Sequence, residues 1–152
     1  MNQPGSIEIY LYFNGQCEDA LNFYQQILGG EVSSLLYYNE VPLEDRRGID
    51  IENPHAIMHA VYHLGEVTLM ASDNVLGTTV TGDNVVLNWF HPDSDEVRRV
   101  WQAFVDGGAQ VSMPLESTFF SPLYGALTDP FGISWQIMTW QPSEESETPA
   151  ED

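Results

Sequence analysis

No lysine occurs anywhere in this chain of 152 residues, and only four arginines stand against 23 Asp and Glu, a formal charge of −19. A duplex or an anionic membrane surface is held mainly by Lys and Arg, so nucleic acid and acidic lipid are excluded as partners. The single cysteine, Cys17, cannot close an internal disulfide. No N-terminal basic-then-apolar segment is present, and the apolar runs fall far short of the roughly twenty residues that cross a bilayer. The expectation is a cytoplasmic protein. Hydrophobic residues make up 43% and aromatics 12%, which is enough for one ordinary core.

The acids are not confined to one end. Glu144, Glu145, Glu147, Glu151 and Asp152 crowd the last ten residues among Ser, Thr and Pro, so 143–152 is expected to be a disordered acidic tail. Without them the chain still carries 18 acids and four arginines, a balance of −14. A salt-rich cytoplasm, where counterions screen the self-repulsion, is one reading, and an ordinary acidic protein is the other.

A pattern occurs twice. Ala20, Phe23, Tyr24, Ile27 and Leu28 return 77 positions later as Val97, Val100, Trp101, Phe104 and Val105, and Glu18-Asp19 return as Asp95-Glu96. The i, i+3, i+4, i+7, i+8 spacing is an amphipathic helix, and each copy closes on a glycine pair, Gly29-Gly30 and Gly107-Gly108. Asp93 or Ser94 opens the second copy. Alternating β-formers precede each helix, Ile7 to Phe13 and Val85 to Phe90. Short strands follow, Glu31 to Tyr38 and Gln110 to Met113, and then hairpins. The first hairpin pairs Ile57–Leu64 with Val67–Ala71 through Gly65; the second pairs Tyr124–Thr128 with Ile133–Thr139 through Asp129-Pro130-Phe131-Gly132. The chain therefore reads as α+β, one domain over 1–142 built from two tandem βαβββ modules, about 6–73 and 83–140, whose curved sheets are expected to form a cleft. Residues 39–56 form a long insertion in the first module, expected to be a lid or a dimer contact.

These paired modules, with the phrases ALNFYQQILGG, HAVYHLGEVTLMASD, DGGAQVSMPLE and YGALTDPFGISWQI, resemble the PhnB-like branch of the vicinal oxygen chelate superfamily, which includes glyoxalase I, bleomycin-resistance proteins and extradiol dioxygenases. The resemblance implies a glyoxalase-like fold and a homodimer. Metal-using relatives chelate two neighbouring substrate oxygens on a divalent ion held by His and Glu from the first and last strands of each module. The matching strands here offer Glu8 or Ile9, Met70, Val85 to Leu87 and Gln136, of which only Glu8 is a good ligand. The first expectation is therefore no resident metal cofactor. The alternative keeps a Zn, Ni, Mn or Fe ion on Glu8 and His59, serving a lyase, isomerase or dioxygenase.

His55, His59 and His63 recur every four residues, but on a strand that step spans roughly 13 Å, too far for one ion to bind two of them. His59 is either a catalytic base or hydrogen-bond partner in the cleft, or a structural histidine. His55 and His91, beside prolines, are expected to be exposed. Asp73 and Asp129 read chiefly as turn-formers. Cys17 opens the first helix, whose dipole could lower a thiol pKa. The ligand-binding candidates are Tyr10, Tyr12, His59, Met70, Trp89, Phe120, Tyr124, Trp135 and Gln136, a set whose aromatics can stack on a flat small molecule or fill a core. A third reading is an acidic scaffold that serves assembly.

Overall fold

The computed structural model describes residues 5–49 and 51–140. The expected tail, 143–152, lies outside the described residues, as does Asp50 of the long insertion. The chain divides into two compact units, 1–80 and 81–152.

In the first unit β1 (Ile9–Phe13) leads into α1 (Cys17–Leu28), followed by β2 (Glu31–Tyr37), two short 3₁₀ turns at 38–40 and 43–45, β3 (Ile57–Leu64) and β4 (Val67–Asp73). The second unit repeats the order with β5 (Leu87–His91), α2 (Ser94–Asp106), β6 (Gln110–Glu116), β7 (Tyr124–Thr128) and β8 (Ser134–Thr139). Among the described residues each unit is a four-stranded mixed sheet with one α-helix. The strand order is β1-β4-β3-β2 in one and β5-β8-β7-β6 in the other, and β1/β4 and β5/β8 are the parallel pairs. The α+β fold of two tandem βαβββ modules is thus what the chain adopts.

The helices lie where the repeated stripe places them. Ala20, Leu21, Tyr24 and Ile27 of α1 and Val97, Val100, Trp101 and Phe104 of α2 are buried. Leu21 is buried as well, so the buried arc of α1 runs away from Phe23, which is only half-buried. The Asp93 carboxylate caps α2 by accepting from the Asp95 N–H at 2.9 Å. α1 ends at Gly29, and Gly30 then turns at φ +82°, where an added Cβ would sit 2.4 Å from the His63 carbonyl oxygen. Only glycine fits that approach.

Strand limits differ from the sequence reading at the ends. β1 begins at Ile9, leaving Ile7 and Glu8 outside the strand and exposed, because neither has a partner on β4. β6 runs on to Glu116 rather than stopping at Met113, through a register shift on either side of Met113. Leu11, Phe13, Ala60, Tyr62, Leu69 and Ala71 point to the helix side of the first sheet, and Leu127, Trp135 and Ile137 to that of the second; these form the core of each unit. In the second, Gly125 leaves room for the Trp101 ring, whose atoms lie 2.7 Å from where a Cβ would be. Among the described residues no helix is long and apolar enough to cross a membrane.

Candidate functional site

Alternation along a strand sends neighbours to opposite faces, so the helix side of the first sheet fixes what its other face presents. Tyr10 and Tyr12 of β1, Met70 and Ser72 of β4, and His59, Val61 and His63 of β3 lie on the face away from α1. The Tyr10 hydroxyl is 3.2 Å from His59 Nδ1, and the Tyr10 ring centroid is 5.1 Å from that of Tyr12 and 5.7 Å from that of His59. Ser72 is buried beneath, and its hydroxyl also hydrogen-bonds Tyr10. Burial pushes the Tyr10 phenol above its ordinary pKa, and the Ser72 bond works against that rise. Tyr38, just after β2, has its phenol raised first by burial and then by the nearby Tyr10, Tyr12 and Asp73. Sequence reasoning passed over Tyr38 and Ser72; the doublet Tyr37-Tyr38 at the end of a strand was the available signal.

Of the sequence candidates, then, Tyr10, Tyr12, His59 and Met70 are brought together on one open face. Phe120, Tyr124 and Gln136 belong to the second unit. Tyr124 and Gln136 occupy the face away from α2, and the Phe120 ring meets Tyr124 edge-on at 5.1 Å. Trp135 is not with them. It follows the opposite alternation, is buried against Phe104 of α2 at 5.3 Å, and donates its indole N–H to Asp129 Oδ2 at 2.9 Å. Trp89, paired with Ile137, shares that helix-bearing face and stacks on His91 at 5.8 Å. His91 is half-buried, not exposed, and its Nδ1 accepts from the Asp93 N–H at 3.0 Å. His55 is exposed as expected.

The acids and the thiol have structural roles. Asp129 Oδ1 accepts from the N–H groups of Phe131 and Ile133 within its turn. Asp73 is buried at the end of β4, where Oδ1 accepts from Gly15 and Cys17 at 2.9 Å and Oδ2 from Ile57 at 2.8 Å. Desolvation raises its carboxyl pKa against the pull of those three bonds. Cys17 is fully buried. Burial, with Asp73 and Glu18 beside it, pushes the thiol far up, so the dipole of α1 does not make it reactive. A crevice of about 460 Å³ opens beside Asp73, lined by Asn14, Glu52, Asn53, Asn74 and Thr78 among others. Its amides serve mainly the loops: Asn14 accepts from the Thr79 N–H, Asn53 from His55 and Asn74 from Leu76.

Could these residues hold the divalent ion that related proteins use? Among the described residues no three His, Cys, Asp or Glu side chains come together. Glu8 is exposed ahead of β1, and His59 Nδ1 already faces the Tyr10 hydroxyl. Met70 and Gln136 offer a thioether and an amide where such an ion takes imidazole or carboxylate. The donor set does not fit a resident divalent ion.

Comparison with known proteins places the chain. It is 28% identical over 138 residues to Protein YjdN of Escherichia coli, spanning 84% of this chain and 90% of that one. The structure of protein PA1353 from Pseudomonas aeruginosa matches with a TM-score of 0.76 and 31% identity, over 90% of this chain and 99% of the other. The PhnB protein from Bacillus cereus matches with a TM-score of 0.76 and 26% identity, over 90% and 100%. Residues 6–137 match the family model of the glyoxalase/bleomycin resistance protein/dioxygenase superfamily, and the chain belongs to that superfamily.

Proposed function

We propose that this chain is a PhnB-like protein that binds a small organic molecule on the open face of its first sheet. The observation that carries the reading is the Tyr10–His59 pair: a phenol 3.2 Å from an imidazole nitrogen, flanked by Tyr12, with Tyr10 37% and Tyr12 55% exposed. Aromatic rings whose polar tips are already arranged suit a flat ligand carrying one or two polar atoms. When the Tyr10 hydroxyl donates to Nδ1, the neutral imidazole carries its proton on Nε2 and offers that N–H to a ligand oxygen. Met70, opposite Tyr10 in the register, supplies adaptable apolar surface. The charge of −19 disfavours an anionic ligand, leaving a neutral or cationic molecule with a carbonyl-type acceptor. No reaction is assigned.

Saturation-transfer NMR with a panel of small aromatic carbonyl compounds tests this. Tyr10→Phe removes the phenol hydroxyl and His59→Leu the imidazole, and each should weaken binding about fivefold. Trp89→Phe, on the other face of the other sheet, should leave it unchanged. Equal affinity in all four proteins would end the proposal.

A further inference from the structure

We infer that the first unit carries a second, independent site: a Ser33–His63–Thr68 relay on its sheet that takes an acyl group from a small neutral or cationic ester. The three residues come from three adjacent strands, β2, β3 and β4. His63 lies directly opposite Thr68 in the β3/β4 register. Ser33 is the extra residue of a bulge in β2, between the Val32–Tyr62 and Ser34–Val61 pairs. Bulges re-aim a side chain. Here the Ser33 hydroxyl arrives 2.9 Å from His63 Nε2, while His63 Nδ1 is 3.2 Å from the Thr68 hydroxyl.

That is the order of parts a hydroxyl nucleophile needs: nucleophile to base, base to orienting group. With its proton on Nδ1 donated to Thr68, the imidazole keeps the Nε2 lone pair for the Ser33 proton. Ser33 Oγ then attacks the ester carbonyl carbon and its proton passes to Nε2. The imidazolium returns that proton to the departing alcohol or phenol as the ester C–O bond breaks, leaving the acyl group on Ser33. Water, deprotonated by the same nitrogen, releases the carboxylic acid and restores the serine. Ser33 and His63 are exposed, so an ester can reach them. Val61, two residues from His63 and opposite Met70, offers apolar surface to a short acyl chain. Glu31, opposite His63 in the register, and Glu66, in the β3/β4 turn, disfavour an anionic substrate.

The second unit supplies an internal control. It has the same bulge, at Ser112 between the Val111–Leu127 and Met113–Ala126 pairs. Thr128 lies opposite Gln110 as His63 lies opposite Glu31, and its hydroxyl is 3.5 Å from that of Ser134. Bulge and hydroxyls are therefore features of the fold, whereas the imidazole is present in one copy alone. The relay also stands apart from Tyr10 and His59, since His59 and His63 are four strand residues apart, roughly 13 Å.

The test uses the full chain with p-nitrophenyl acetate, following p-nitrophenol release and mapping acetylated peptides after acid quench. The expected result is an acetyl group on Ser33, absent in Ser33→Ala. His63→Gln should acylate roughly 10²-fold more slowly, the scale of one general base. Thr68→Val should lower the rate and Thr68→Ser restore it. Ser112→Ala and His55→Gln should match the unaltered protein. All of these side chains are at least partly exposed, and circular dichroism confirms that each variant is folded. Absence of label on Ser33, release rates in Ser33→Ala or His63→Gln equal to the unaltered protein after subtraction of free-imidazole background, or equal losses in Ser112→Ala would overturn the assignment.

Discussion

Replacing Asp73 by Ala removes a side chain that ties the end of β4 both to the turn before α1 and to the start of β3. Its carboxylate accepts three backbone N–H bonds, from Gly15, Cys17 and Ile57, at 2.8–2.9 Å. Gly15 is exposed and can rebond to water. Cys17 and Ile57 are fully buried, and each stranded N–H costs about 1–3 kcal/mol. The loss is therefore about 2–6 kcal/mol, a large share of the roughly 5–15 kcal/mol that holds a typical domain together. Asp73→Asn keeps one acceptor oxygen and should lose part of that amount. Urea unfolding followed by circular dichroism at pH 7 measures both. A loss below about 1 kcal/mol for the alanine variant would refute the bonding assigned to this carboxylate. The pH dependence has a definite sign. Because burial raises the folded pKa above the ordinary 3.8, the native state binds the proton more tightly than the unfolded chain does. The proton-linked part of the stability is then fully present below the ordinary value, falls as pH rises through the folded pKa, and is flat above it, where the three N–H bonds to the carboxylate remain. The stability difference between the unaltered protein and Asp73→Asn should follow that course.

Other consequences are simpler to read. Cys17, buried and with its thiol pKa raised, should resist iodoacetamide at pH 8 in the native protein and react promptly in urea; rapid native alkylation would contradict the placement. Gly125→Ala drives a Cβ to 2.7 Å from the Trp101 ring and 3.1 Å from Leu115 Cα, an overpacking that should cost about 1–3 kcal/mol in denaturant unfolding. Self-repulsion from a charge of −19 should be screened by salt, so the melting temperature should rise between low and molar KCl, and a flat response would remove the salt-adapted reading of the acids.

The helices were legible because a 3.6-residue period with a constant offset of 77 leaves little freedom: Ala20, Tyr24 and Ile27 and their counterparts Val97, Trp101 and Phe104 are all buried. Asp93 and Asp129 were legible because Asp at a helix start or in a tight turn has local backbone donors to satisfy. The facing of aromatics was not. Trp135 and Gln136 are adjacent on one strand and cannot share a face, yet residue type alone does not say which of the two the helix will cover. A tryptophan suits both a ligand surface and a core, and the choice falls to Phe104 and Asp129, whose contacts with Trp135 depend on the folded chain. Tyr38, Ser72 and the bulge at Ser33 were hidden for a related reason: each gains its meaning from a neighbour across the sheet.

The proposed binding surface is the face of the first sheet away from α1. Its most direct test is a titration with the best-bound member of the aromatic carbonyl panel, following the methyl resonance of Met70 and the imidazole resonances of His59. Both residues should show saturable shifts, with the tyrosine rings of Tyr10 and Tyr12 moving alongside them. Binding that leaves Met70 and His59 unmoved, or no binding by any compound of the panel, would contradict it.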